Sequence, residues 1–269
     1  DLSAALLKTV ITNELSVSDF DISKLQSLTH SKGFGENHFP KINGSWFADL
    51  ASWGKGMYPD KQLSGLDDFD WKNNIQHVER EAFGRSQPVR VNYYAWINRY
   101  VGHQSGGSHH TAMLIHQMVA QERIYKREAK VRNYSLDLIP LSSLKEHYSM
   151  FVANRDAYCS KLESKRQDLF TILRQVVASE VYVLPISGDN HENLAFFIPY
   201  SALAVSKTAF DTWYCSNAER LKIIPLIHFM SNTLEYCTSP YSHELEQIYL
   251  GDPRRDSDIY AKKHRDALL

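Results

Sequence analysis

Two neighbouring segments near the middle of the chain follow different hydrophobic periods. In Pro88–Ile97, valine or tyrosine at odd positions alternates with Arg90, Asn92 and Tyr94 at even positions. A period of two predicts a β-strand with one apolar face and one polar face. Apolar side chains then recur at helical spacing over Ser108–Lys126, which predicts a helix joined to the strand by a loop.

The first 84 residues are polar overall, and their apolar positions recur mostly at helical spacing. This spacing predicts four helices, at Leu2–Ile11, Ile22–Leu28, Trp46–Trp53 and Asp70–Ala82. Asp70 is expected to cap the fourth helix, because its carboxylate accepts hydrogen bonds from the unpaired amides of a first turn.

Strands and helices are mixed in the rest of the chain. The pattern predicts strands at Tyr134–Leu138, Val181–Ile186, Leu194–Ile198 and Leu221–Phe229, and helices at Ser142–Ala178, Lys207–Ser216 and the charged C-terminus ending at Leu269. The polar turn before Leu194 predicts a β-hairpin. This order favours an α+β fold with a mixed sheet and flanking helices. We expect one globular domain over 1–269, with a mostly helical subregion (1–84) and an α+β core (85–269).

The loop Ser105–His110, with the sequence Ser-Gly-Gly-Ser-His-His, leads into the predicted central helix. Glycines let backbone amides approach a ligand, and Ser108 is expected to cap the helix. Because a helix N-terminus favours an anion, the loop predicts a phosphate or carboxylate site. Such a site requires a positive φ or a close backbone approach at Gly106 or Gly107. The loop lacks the patterns of a phosphate-binding loop and of a Rossmann dinucleotide fingerprint.

Charge around this loop favours the same site. No Asp or Glu occurs between Glu81 and Glu122, where about five would be expected from overall usage. The window retains arginines and histidines, namely Arg85, Arg90, Arg99, His103, His109, His110 and His116. A buried strand and helix would explain the missing acids but not the retained arginines.

Together these patterns predict one anion clamp. The expected ligand-binding residues are Arg90, Asn92, Tyr94, Ser105, Gly106, Gly107 and Ser108, and the expected acid–base residues are His109 and His110. The arginine fork would bind one set of oxygens and the loop amides another. A histidine titrates near neutral pH, and His109 is preferred for its solvent access. The catalytic acid stays open among Glu122, Asp137, Glu180 and Glu192.

Other kinds of chemistry find less support in the sequence. His109 and His116 lie two helical turns apart, too far for neighbouring ligands of one ion, so no metal site is expected. No Gly-x-Ser-x-Gly elbow is present, and no cofactor can be named. Three widely spaced cysteines form no Cys-x-x-Cys pair, which favours a reducing, cytoplasmic location, with a secreted effector left open.

Two classes of function remain. The net charge of −1 gives no general attraction to nucleic acid, and no apolar run is long enough to cross a bilayer. The first class is an enzyme that binds a phosphate-bearing small ligand, a nucleotide or dinucleotide, and transfers or hydrolyses a group, including ADP-ribosyl transfer. The second is a non-catalytic interaction or effector module with an apolar patch around Trp46, Trp53 and Trp71. Either class of function allows the protein to form a homo-oligomer.

Overall fold

The computed structural model describes residues 2–29, 49–57, 66–154, 169–185, 193–221 and 223–233. These residues form eight α-helices and two sheets, which confirms the α+β fold. The helices are α1 (Leu2–Thr9), α2 (Leu50–Met57), α3 (Asp68–His77), α4 (Ser108–Gln121), α5 (Ile139–Ser142), α6 (Leu169–Leu173), α7 (Lys207–Leu221) and α8 (Leu226–Ser231). The strands are β1 (Val10–Asp21), β2 (Leu25–Leu28), β3 (Val89–Tyr94), β4 (Arg99–His103), β5 (Lys126–Leu136), β6 (Tyr148–Asn154), β7 (Tyr182–Pro185), β8 (Asn193–Pro199) and β9 (Ile224–Pro225).

The described residues divide into two compact units. The five-stranded unit contains residues 12–29, 49–57 and 66–135, with the sheet order β1-β5-β3-β4-β2. The four-stranded unit contains residues 2–11 and the described residues after 135, with the order β7-β8-β6-β9. The single domain expected from the sequence stays a prediction.

The five-stranded sheet is mixed, with β3 at its centre. Strand β3 runs antiparallel to β4 and parallel to β5, and β4 runs parallel to β2. The predicted alternation is confirmed, because Val89 and Val91 are buried on a first face with their β5 partners Ala129 and Val131. The even-numbered residues of β3 therefore lie on the opposite, second face of the sheet.

Helix α4 covers the first face of this sheet, and every residue from Thr111 to Met118 is buried. Helix α2 packs closely against α4, because Gly54 has no side chain at the contact. A Cβ added there would lie 2.7 Å from Cβ of His116, closer than side chains tolerate. The small residue thus sets how closely the two helices approach.

The four-stranded sheet contains the predicted hairpin. Strands β7 and β8 pair antiparallel, and β8 pairs with β6. The turn at 186–192 lies outside the described residues. Phe151 of β6 stacks on Phe196 of β8 inside a core that also holds Phe210 of α7. The hairpin therefore forms because its apolar face is buried against neighbouring elements.

Three predictions in the N-terminal third are wrong in detail. The first helix ends at Thr9, after which the chain continues as β1. The segment predicted as a second helix is a 3₁₀ turn followed by β2, which pairs with β4. Leu25 and Leu28 are buried in the sheet, so tertiary pairing overrides helical spacing. Asp67, not Asp70, caps α3, since its carboxylate accepts from the Asp70 amide at 2.8 Å.

Three later predictions also need correction. The helix predicted over Ser142–Ala178 contains strand β6, because that run pairs on both sides with other strands. The strand predicted over Leu221–Phe229 consists of the end of α7, the short β9 and α8. The strand predicted over Tyr134–Leu138 is the end of β5, which begins earlier, at Lys126. Trp46 and the segment predicted as a charged C-terminal helix lie outside the described residues.

Candidate functional site

The loop before α4 contains the expected backbone feature. Gly107 has a φ of 61°, which confirms the prediction of a positive φ at one of the two glycines. Gly107 itself precedes the first turn, and its carbonyl accepts from the Thr111 amide at 2.9 Å. Ser108 is the first helical residue and is buried, so the expected Ser108 cap is wrong.

The loop packs against the segment that follows α3. A Cβ on Gly107 would lie 3.2 Å from the Ala82 amide nitrogen, and Ser105 Oγ donates to the Glu81 carbonyl at 2.9 Å. That segment, Val78–Ala82, is a π-turn in which the Phe83 amide donates to the Val78 carbonyl at 2.8 Å. Wide turns of this kind recur at functional sites. The glycine is thus required by a contact within the protein, whether or not a ligand binds.

The predicted clamp is not formed as one site. Ser105, Gly106, Gly107, Ser108, His109 and His110 lie together at the start of α4, whereas Arg90, Asn92 and Tyr94 lie on the second face of the sheet. Because α4 packs on the first face, through the odd-numbered valines of β3, the even-numbered side chains must face away from it. The sheet separates the two sets.

His110 instead joins a group that we call the histidine cluster, made of Asn74, His77, Glu81, His110 and Gln117. The imidazole of His110 stacks on that of His77, with ring centroids 3.9 Å apart and an interplanar angle of 7°. His110 Nδ1 lies 2.9 Å from Asn74 Oδ1, and Asn74 Nδ2 donates to Gln117 Oε1 at 2.9 Å. Asn74 and Gln117 are fully buried.

These contacts assign one tautomer to His110. The buried Asn74 amide donates through its Nδ2 to Gln117. This bond directs Asn74 Oδ1, which can only accept, towards His110. His110 Nδ1 must therefore carry the proton, which leaves Nε2 as an acceptor. The assignment follows from the hydrogen-bond pattern and makes Nε2 the atom that can receive a proton.

Burial, more than charge in the cluster, keeps His110 neutral. Burial, followed by the neighbouring His77, lowers the pKa of His110 from 6.5 to about 4. His77 Nδ1 lies 2.6 Å from Arg80 Nη2 and 3.2 Å from Glu81 Oε1. Hydrogen bonds from Arg80, and then from His77, lower the pKa of Glu81. Two stacked imidazoles and a guanidinium therefore lie beside a single carboxylate.

His109, the preferred acid–base residue from the sequence, lies outside this network. Its half-buried ring meets Trp53 edge-on, with centroids 5.6 Å apart. Trp53 is fully buried, and the Arg123 guanidinium lies over Trp71 at 5.1 Å. The exposed tryptophan patch expected for an interaction module is therefore absent at these two described residues.

The sequence did contain a signal for the missed residues. Asn74, His77 and Glu81 follow one another at intervals of three and four residues, which places them on one helix face. Among the proposed catalytic acids, Glu122 ends α4 at the far end from the loop, and Asp137 and Glu180 belong to the four-stranded unit. Glu192 lies outside the described residues.

Two general properties concern the described ranges alone. Within them, no group of three or more histidine, cysteine or acidic side chains is arranged to hold a metal ion. None of the described helices combines the length and the apolar character needed to span a membrane.

Comparison with known proteins yields one similarity. The family described as a family of unknown function, DUF6685, matches residues 60–187, just under half of the chain. The matched segment includes the loop Ser105–His110 and the whole histidine cluster. No curated protein and no solved structure matches the chain. From α3 to β7, the chain is therefore similar to a family whose function is not known.

Proposed function

We propose that the protein is an enzyme that binds a phosphate-bearing small ligand, a nucleotide or dinucleotide, at the N-terminal end of α4. His110 would be its acid–base residue. The observation that carries this proposal is the 2.9 Å contact between His110 Nδ1 and Oδ1 of the buried Asn74, which is itself hydrogen-bonded to the buried Gln117. Buried amides are costly unless they are fully bonded, and here they orient a titratable ring at a helix start.

The surroundings of the loop favour an anionic ligand. The first amides of α4 have no acceptor within the helix, and the helix dipole favours negative charge there. Arg80 lies beside His77, which stacks on His110, and supplies a full positive charge. The carboxylate in the cluster, Glu81, is engaged by Arg80 through a contact of 2.5 Å. A phosphate group would therefore meet the unpaired first amides and the positive dipole end of α4, beside Arg80, whose charge Glu81 offsets.

The role of His110 follows from its protonation state. With Nδ1 protonated and bonded to Asn74, Nε2 can take a proton from a hydroxyl or water that attacks the ligand. A pKa of about 4 makes the ring a weak base in the free protein. A bound phosphate dianion would raise this pKa, because opposite charge favours the imidazolium. Ligand binding would thus bring His110 closer to the range in which acid–base catalysis is efficient.

Titration of the His110 ring by nitrogen-15 NMR tests the proposal. Without ligand, His110 should titrate near pH 4, and saturating ADP should raise the midpoint by at least about one unit. His147, an exposed histidine in the four-stranded unit, is the matched control and should not respond. His110→Gln should weaken ADP binding measured by calorimetry, whereas His147→Gln should not.

An unchanged His110 midpoint, together with equal binding of ADP and of NAD⁺ by wild type and His110→Gln, would contradict the proposal. That result would favour the alternative, a non-catalytic interaction or effector module in which the loop is structural. A cytoplasmic location and a small anionic partner belong to the same proposal as the enzyme.

A further inference from the structure

The second face of the five-stranded sheet has a row of basic residues across three strands. Arg90 of β3 lies directly opposite Lys130 of β5 and, on its other side, His103 of β4. Residues opposite each other in a ladder point to the same face, with Cβ atoms about 5 Å apart. We call Arg90, Lys130 and His103 the cationic row.

Arg90 differs from the other arginines of its unit. In the described part of the five-stranded unit, the other arginines each make a hydrogen bond or an ion pair; they are Arg80, Arg85, Arg99, Arg123, Arg127 and Arg132. Arg90 is exposed and makes neither with any described residue, and exposed Lys130 makes no ion pair there. Like charges directly opposite on neighbouring strands are destabilising. Among the described residues, no contact offsets the cost of this arrangement in stability.

Little negative charge lies near the row. Strands β3 and β4 contain no acid, since none occurs between Glu81 and Glu122. On the same face of β5, Glu128 is exposed two residues before Lys130. Glu14 is paired with Arg132 at 3.3 Å. Glu128 has no ion-pair partner among the described residues, and its one negative charge does not balance the positive charges of Arg90 and Lys130.

We propose that the cationic row binds a phosphate group, either as free phosphate or as part of a phosphomonoester. The Arg90 fork would bind two oxygens, and the Lys130 ammonium would neutralise a third. His103, which has a contact of its own, flanks Arg90 on β4 and is not required as a ligand. This site lies across the sheet from the histidine cluster, so it does not depend on the function proposed above.

Calorimetry on the full chain at fixed ionic strength tests the row, with inorganic phosphate and phenyl phosphate as probes. Arg90→Gln should weaken binding at least about tenfold. Arg90→Lys should lose part of the affinity, because the ammonium keeps the charge but not the fork. Arg174→Gln, which removes an exposed arginine in the four-stranded unit, is the matched control and should bind like wild type. Tighter binding of phenyl phosphate than of inorganic phosphate would identify a monoester as the ligand. Equal binding of the two probes would identify free phosphate as the ligand.

The melting temperature distinguishes a variant that has lost phosphate binding from one that no longer folds. Because Arg90→Gln removes a like-charge pair, its melting temperature should equal or exceed that of wild type while binding falls. His110→Gln should leave binding at the row unchanged, which distinguishes this site from the histidine cluster. Absence of binding by wild type, or equal binding by wild type and Arg90→Gln, would overturn the proposal.

Discussion

Replacing Gly107 by alanine tests the physical account of the loop. Gly107 has a φ of 61°, in the left-handed region where a Cβ meets the following carbonyl. The added Cβ would also lie 3.2 Å from the Ala82 amide nitrogen and 3.3 Å from the Ala82 Cβ. Since the nearest contact is backbone, the π-turn itself would have to move. Two separate costs therefore act on the folded state.

The magnitudes decide the sign of the effect. The left-handed conformation costs an alanine about 1–2 kcal/mol. Relief of the tight contacts adds roughly 1 kcal/mol, in the lower range of overpacking costs. Against this, alanine restricts the unfolded chain and contributes about 0.4–1 kcal/mol of stability. The net loss should be about 1–2 kcal/mol, which corresponds to a fall in Tm of roughly 2–8 °C.

Gly106→Ala provides the matched control for this experiment. Gly106 does not have a positive φ, and its added Cβ would lie 3.4 Å from the Glu81 carbonyl oxygen. Urea unfolding, followed by circular dichroism, should show Gly106→Ala within about 0.5 kcal/mol of wild type. Equal losses for both variants, or no loss for Gly107→Ala, would refute the reasoning. A loss of ADP affinity larger than the loss of stability, measured on folded Gly107→Ala, would support the ligand site as well.

Other changes test the helix contacts and the histidine cluster. Gly54→Ala should cost about 2 kcal/mol or more in thermal unfolding, because overpacking against α4 at the upper end of its usual cost outweighs a gain of about 1 kcal/mol in helix propensity. Gly84→Ala, where the added Cβ meets nothing within 4 Å, should be nearly neutral, and similar losses for both would contradict the packing account. The pKa of His110 is lowered to about 4, so the unfolded chain binds its proton first as the pH falls. The contribution of His110 to the free energy of unfolding should be constant above about pH 6.5 and should fall by about 1–2 kcal/mol towards pH 4, after allowance for solvent screening. His110→Gln should remove this part of the pH dependence of the urea midpoint. Gln117→Leu leaves the Asn74 amide without its acceptor, so the free energy of unfolding should fall by about 1–3 kcal/mol. The nitrogen-15 signals of His110 should also shift away from those of a pure Nδ1–H tautomer. Unchanged signals would contradict the tautomer assigned through Asn74 and Gln117.

Some elements could be predicted from local sequence patterns. Strand β3 alternates since Val91 faces the core and Arg90 faces away. The β7/β8 hairpin was predicted from two β-rich runs on either side of a polar turn. The helix predicted over Ile22–Leu28 failed because three apolar residues spaced by three fit either a helix or a bent edge segment. Strand β6 was missed because Phe151, Val152 and Ala153 are all buried, so both of its faces are apolar and the run lacks a period of two.

The candidate site shows the same division. The sequence by itself determined that Arg90, Asn92 and Tyr94 share one face of a strand, because this follows from local backbone geometry. For the loop before α4 it predicted, on the condition that a ligand binds there, a positive φ or a close backbone approach at Gly106 or Gly107, and Gly107 has the positive φ. Which surfaces meet was decided by the tertiary structure. Helix α4 packs on the valine face of β3, so the sheet separates Arg90 from the loop. His110 finds its hydrogen-bond partner, Asn74, 36 residues earlier in the chain. Contacts at such separations depend on how helices pack against a shared core, and no short stretch of sequence records that packing.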